Sequence, residues 1–170
     1  MSFAVILTLV FPALAIFAAV NDAVTMKIPN WISIILAAAF VPTALIVGLS
    51  GYDILIAVGM GFAALIIGIA LFAFRVIGGG DAKLLAASVM WVGISGIGPF
   101  LIYVALAGGG LSIGLLLARK WVPLMLVVIG PAWLQRLLEP KGDLPYGIAI
   151  AVGAICAYPQ TALVLASAGI

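Results

Sequence analysis

FAVILTLVFPALAIFAAV, residues 3–20, runs straight into Asn21 and Asp22, and its reading decides the fold. An uncharged apolar run of this length suits the roughly 30 Å hydrocarbon core that about 20 helical residues cross. No basic segment precedes it, and beyond Asp22 the chain enters a second apolar run. It therefore reads as a retained transmembrane helix and not as a cleaved secretory leader. The same character extends through the whole chain, with 67% of its 170 residues hydrophobic and 7% charged, where soluble chains carry about 25% charged residues. Mean hydropathy is +1.46. A water-soluble fold is excluded, and residues 1–170 are expected to form a single integral-membrane domain, an all-α polytopic helix bundle.

Five further spans are expected. The second covers Trp31–Leu49, opened by Pro29 and Asn30, which suit a helix start. The third covers about Ile54–Ile77, after a turn at Ser50–Asp53. A fourth begins at or just after Asp81 and fades over Gly93–Gly98, a fifth covers about Pro99–Ala118, and a sixth about Tyr146–Ala168. Before the last comes WVPLMLVVIGPAWLQRLLEP, residues 121–140, apolar but interrupted by Pro123, Gly130–Pro131, Gln135 and Arg136. Basic residues flank both ends, so crossing would put positive clusters on both sides of the membrane. A broken helix lying at the interface over residues 121–138 is the economical reading. With six spans, Lys27, Arg75, Lys83 and the group Arg119, Lys120, Arg136 and Lys141 all share one face. The other face holds Asp53 and no lysine or arginine, which makes the basic face cytoplasmic and puts both termini outside. The net charge of +2 follows from this layout and gives no sign of a nucleic-acid partner. Small residues such as Gly108–Gly110 are expected to let helices approach closely.

The chemistry is narrowed by what is missing. There is no histidine, which removes imidazole bases, Ser-His-Asp triads and histidine-ligated metals. The lone Cys156 leaves neither a disulfide framework nor a zinc-type cluster, so no metal and no cofactor is expected. Of the five acids, Asp53 falls in the outer turn, and Glu139 and Asp143 fall in the basic segment. Asp22 and Asp81 remain. Both are expected near the cytoplasmic boundary, where an ionisable residue is a functional candidate by default. Each also has a plain structural reading: Asp81 as N-cap of the helix beginning AKLLAA, and Asp22 as an interfacial acid paired with Lys27. Gly78, Gly79 and Gly80 exceed what a helix break needs. They leave the backbone free for conformations closed to other residues, for a hinge, or for close approach of another peptide chain. Two carboxylates sharing a site cannot both stay ionised near neutral pH. One can then act as base toward water while the other, protonated, polarises a carbonyl.

NDAVTMKIPN (residues 21–30), GGGDAK (78–83) and LPYGIAIAVGA (144–154) together resemble the type IV prepilin peptidase family of intramembrane aspartic proteases, whose second aspartate lies in a Gly-x-Gly-Asp motif. The likeness covers essentially the whole chain, in order. It implies that Asp22 and Asp81 are the catalytic pair and that Gly78 and Gly80 are the motif glycines, with Gly79 between them. Lys83 is the lysine that follows the motif; a solvated interfacial lysine is its plain reading. Lys27 belongs to the Lys-x-Pro-Asn stretch, and Pro145, which opens the last helix, has a place in the site only by the resemblance. The family cleaves the short basic leader of pilin precursors at the cytoplasmic face of the bacterial inner membrane, in the service of pilus-assembly machinery. Larger members carry a cysteine-bearing insertion between the first two helices and also N-methylate the product. Here that connection is only Asn21–Asn30, so the chain resembles the short CpaA/TadV-like members of tight-adherence (Flp) pili, and methyl transfer is not expected.

Two other classes predict different features. A proton- or ion-coupled carrier calls for an acid near the bilayer midplane and internal repeat symmetry, and the sequence shows neither. A catalytically silent assembly scaffold has no need of both aspartates.

Overall fold

The computed structural model describes residues 3–122, 129–140 and 142–169. Helices α1 (Phe3–Thr8) and α2 (Val10–Thr25) form one span, jointed at Leu9. Pro12 has no N–H to offer the Thr8 carbonyl four residues behind it. The Tyr158 hydroxyl donates to that carbonyl instead, at 2.9 Å, so the proline defect fastens the last span to the first. α2 runs past the expected end at Val20 and carries Asp22 in its final turns. It stops at Met26, whose φ of 54° is left-handed and whose N–H donates to the Asp22 carbonyl at 2.8 Å.

α3 covers Asn30–Val47 and α4 covers Gly51–Ala73, the latter displaced toward the N-terminus from the expected Ile54–Ile77 because Ser50 caps it. The Ser50 hydroxyl accepts the Asp53 N–H at 3.1 Å. α5 covers Gly79–Trp121, 43 residues. A straight helix of that size would measure about 64 Å, twice the bilayer core. It leaves helical geometry at Gly93 (φ 60°, ψ −169°), in a region essentially open to glycine alone. The contacts on either side show that the chain reverses there. Ser95 Oγ, just past the break, accepts the Ala162 N–H at 3.3 Å. At the far ends, Asp81 lines a cavity with Asp143 and Tyr146, and Arg119 donates to the Asp143 carbonyl at 3.1 Å. Both ends of α5 thus lie on one face, and its two legs are the expected fourth and fifth spans. The break falls on the first residue of the expected fade.

α6 (Ala132–Leu137) lies in the expected interfacial segment, of which residues 123–128 fall outside the described residues. Arg119 Nε and Nη2 donate to the Leu137 carbonyl at 3.1 and 3.0 Å, so the two ends of this connection meet on one face. α7 (Tyr146–Ala157) and α8 (Ala162–Ala168) replace the single last helix expected. A 3₁₀ turn at Tyr158–Gln160 bends them by 46°, and the Thr161 side chain caps α8 by accepting the Val164 N–H.

The core is an aromatic knot. Trp91 of α5 stacks on Phe11 of α2 (centroids 5.4 Å apart) and meets Phe40 of α3 edge-on, while its Nε1–H donates to the Leu36 carbonyl at 2.9 Å. Large apolar side chains face outward instead, Leu55 at 71% exposure and Leu106 at 68% among them, as a lipid solvent requires. Small residues bring helices together: a Cβ on Gly68 of α4 would stand 2.9 Å from that of Ala82, and Gly108 packs on Tyr146 and Ala149. Gly109 and Gly110 face open space and take no part.

The hairpin yields a stability test. Gly93→Ala is expected to lower stability by about 1–3 kcal/mol, whereas Gly98→Ala, with nothing within 4 Å of the new methyl, is expected to stay near wild type. Thermal unfolding in detergent, read by circular dichroism, compares the two.

Candidate active site

The site forms where α2 ends and α5 and α7 begin. The first four N–H groups of a helix have no partner within it and carry the positive end of its dipole. In α7 one of these is put to use. The Gly147 N–H donates to Asp22 Oδ2 at 2.8 Å, joining residues 125 apart in sequence. Asp22 is only 5% exposed, and this bond answers the requirement that a buried polar group be satisfied. No larger residue fits at 147: a Cβ there would stand 2.8 Å from Asp22 Oδ2 and 2.9 Å from Ile28 Cδ1. Pro145, fully buried, occupies the N-cap position of α7 and sets where those amides begin. Sequence reasoning misses Gly147. Its only signal is a glycine in the first turn after a proline, within the Leu-Pro-Tyr-Gly stretch.

Asp81 is not the N-cap of its plain structural reading. Gly78 holds that position and Asp81 is the third residue of α5, its Oδ2 accepting the Gly78 N–H at 3.2 Å. The carboxylate reaches back to the helix start because glycine leaves the room: a Cβ on Gly78 would lie 2.7 Å from Asp81 Oδ2. The expectation of unusual backbone conformations at residues 78–80 is corrected in the same way. None of the three has a positive φ, and what they provide is space. Gly80 packs on Ile28, whose Cβ would be 3.1 Å from a new methyl, and Gly79 packs on the Phe72 ring. The space is taken up within this chain, by Ile28, Phe72 and the Asp81 carboxylate.

Depth follows from the α4 contact. Gly68 sits beside Ala82, and α4 continues to Ala73, five residues or roughly 7 Å beyond that level. Asp81 is therefore recessed below the end of α4. The recess is a cavity of about 750 Å³, lined by Asp22, Phe72, Arg75, Gly78, Asp81 and Tyr146 among others. A second cavity of about 290 Å³ adjoins it, and Asp22 and Asp81 line that one too, with Lys27, Ile28 and the three glycines. Asp22 and Asp81 thus border both cavities.

The lysines stand apart from the acids. Lys83 Nζ donates to Asn30 Oδ1 at 2.9 Å, tying α5 to the start of α3. Lys27 is exposed, and its carbonyl accepts the Asn21 amide. Asp22 takes its bond from Gly147, not from Lys27 as its plain structural reading expected. Among the described residues, no group of three or more histidine, cysteine, aspartate or glutamate side chains is disposed to hold a metal ion.

Residues 9–131 match the model of the type IV leader peptidase family, well over half of the 170-residue chain. The chain belongs to that family. Both aspartates lie inside the matched region, and Pro145 and Gly147 lie beyond it. Comparison with curated proteins and with solved structures finds no match. Membership makes this membrane protein a leader peptidase-like protease and implies a prepilin substrate. For this peptidase, Gly147→Ala is expected to push Asp22 off its amide and reduce cleavage at least about tenfold, the scale of one lost hydrogen bond to a charged group. Gly109→Ala, with an unobstructed methyl, is expected to cleave as wild type. Initial rates on a prepilin-type precursor in liposomes distinguish them.

Proposed function

We propose that Asp22 and Asp81 are the catalytic pair of an intramembrane aspartic endopeptidase that removes the leader of a prepilin. The observation that carries this reading is the pair itself: two carboxylates from helices far apart in sequence line the same recess, each held by one backbone amide. Held on one oxygen, each carboxyl keeps its other oxygen for chemistry. One ionised carboxylate takes a proton from water as the oxygen attacks the scissile carbonyl, and the protonated partner gives its proton to the carbonyl oxygen. The tetrahedral diol then collapses: the C–N bond breaks, the nitrogen leaves protonated by the first aspartic acid, and a carboxylic acid and an amine result. No histidine or metal is needed in this sequence of steps.

The finer assignments rest on the chain's own features. The connection Asn21–Asn30 is short and cysteine-free, which supports a short CpaA/TadV-like, Flp-type enzyme without methyltransferase activity. The basic residues beside the recess support a cytoplasmic orientation in the bacterial inner membrane with both termini outside. A short basic leader suits a recess lined by three acids, Asp22, Asp81 and Asp143, alongside Arg75. Any contact with pilus-assembly machinery belongs to the same reading. The recessed position of the acids near one face is not the midplane placement that a carrier calls for.

Asp22→Asn and Asp81→Asn keep shape and the amide bond's acceptor while removing the titrating oxygen. Each is expected to lower cleavage about 10³-fold or more, within the range that general acid–base catalysis supplies, with unfolding temperature close to wild type. Mass spectrometry of the precursor products reads the result; full cleavage by a folded variant would remove that acid from the mechanism.

A further inference from the structure

Gly147 is the second residue of α7, so its N–H has no partner within that helix. The residues just before the helix, Gly142–Pro145, belong to no regular element. Where the amide stands therefore depends on what fixes the approach to α7. Arg119, in the last turn of α5, does so from outside. Its Nε and Nη2 donate to the Leu137 carbonyl at 3.1 and 3.0 Å, and Nη2 donates to the Asp143 carbonyl at 3.1 Å. The first acceptor ends α6, where carbonyls lack a helical partner and a cation is favoured. The second lies four residues before Gly147. Between them and Gly147 the chain is braced: Pro145 is fully buried with its φ fixed by the ring, and the Tyr146 N–H donates to the Leu144 carbonyl at 2.8 Å. Serving both carbonyls calls for the planar fork of a guanidinium, which an ammonium lacks. Among the described residues, Gly142, Asp143 and Leu144 of this segment line the recess, and Arg119 does not.

We propose that Arg119 is a positioning residue for the reaction: by holding the Leu137 and Asp143 carbonyls it sets the place of the Gly147 amide and, through that amide, the orientation of the Asp22 carboxylate. This rests on the catalytic assignment above. Arg119 acts through the backbone it holds and touches neither acid. A basic residue that served only to mark the cytoplasmic face would act through its charge alone. In that case the exposed Lys120, one position on, would matter as much.

The test measures cleavage of a prepilin-type precursor in liposomes, with folding of each variant checked by thermal unfolding. Arg119→Met keeps the apolar stem and removes every donor; it is expected to lower kcat about tenfold and leave KM within about twofold. Arg119→Lys keeps the charge without the fork. It is expected to lose about two- to tenfold in kcat, and carries the same comparisons should the methionine variant fail to fold. Lys120→Met removes the same charge one residue away and is expected to cleave as wild type. In a Gly147→Ala background, where Asp22 has already lost its amide, Arg119→Met is expected to cost less than about a further twofold. Losses that multiply in that cycle, a loss confined to KM, or equal effects at 119 and 120 would overturn the proposal. Hydrogen exchange at the Gly147 amide, followed in detergent, needs no cleavage. It is expected to be at least about tenfold faster in Arg119→Met, the scale of one lost hydrogen bond to a charged group, and unchanged in Lys120→Met. Unchanged exchange in Arg119→Met would overturn the proposal whatever Asp22 does. Faster exchange there, together with full cleavage by Asp22→Asn, would instead refute the catalytic assignment and leave the hold of Arg119 on α7 standing.

Discussion

The bond from the Gly147 amide to the Asp22 carboxylate is the constraint on which the architecture of the site depends. An ionisable group buried between membrane helices must find a polar partner, and hydrocarbon provides none. Here the partner is an N-terminal amide of the last span, so α2 and α7 are locked in register by the group that the chemistry would use. Gly147 must stay a glycine because Asp22 and Ile28 occupy the place of its side chain. Asp81 obeys the same logic within its own turn, bonded to the Gly78 amide. Among the described residues neither acid is paired with a lysine, and both line the recess.

The reversal at Gly93 makes the rest possible. It folds a 43-residue helix into two legs, so that Asp81 at the start and Arg119 at the end meet the segment that opens α7. Arg119 then holds the carbonyls of Leu137 and Asp143, which closes one wall of the recess. Away from the site, Trp91, Phe11, Phe40 and Tyr158 hold four segments together. A rigid aromatic end and an open, glycine-lined end are what a recess between helices requires.

Much of this is legible in the sequence because charge is so scarce in it. Apolar runs place the spans, and the few basic residues sort the loops onto one face. Asp22 and Asp81 stand out as the acids at the wrong depth for a solvated role, and the structure brings them to one cavity. What escapes are facts that depend on distant partners. The sequence shows Pro12 but not that Tyr158 takes up the carbonyl it orphans. It shows the Gly78–Gly80 run but not that the glycines are there for space, against Ile28, Phe72 and the Asp81 carboxylate, since conformation and space leave the same residue behind. Gly147 looks like an ordinary helix-start residue because its partner lies 125 positions away. Asp81 looks like an N-cap because a carboxylate at the third position also satisfies an orphan amide at the helix start, here that of the N-cap residue Gly78, where a capping side chain would take those of the second or third residue.

The central claim is that Asp22 and Asp81 act as one unit, sharing one proton across one peptide bond. A double-mutant cycle tests it most directly: cleavage rates of Asp22→Asn, Asp81→Asn and the double variant, measured on one precursor in liposomes with folding checked for each. Groups that act together show strongly non-additive losses. The account predicts that the double variant is no slower than the worse single variant. Losses that multiply across the cycle would contradict it, because they would mean two acids working independently.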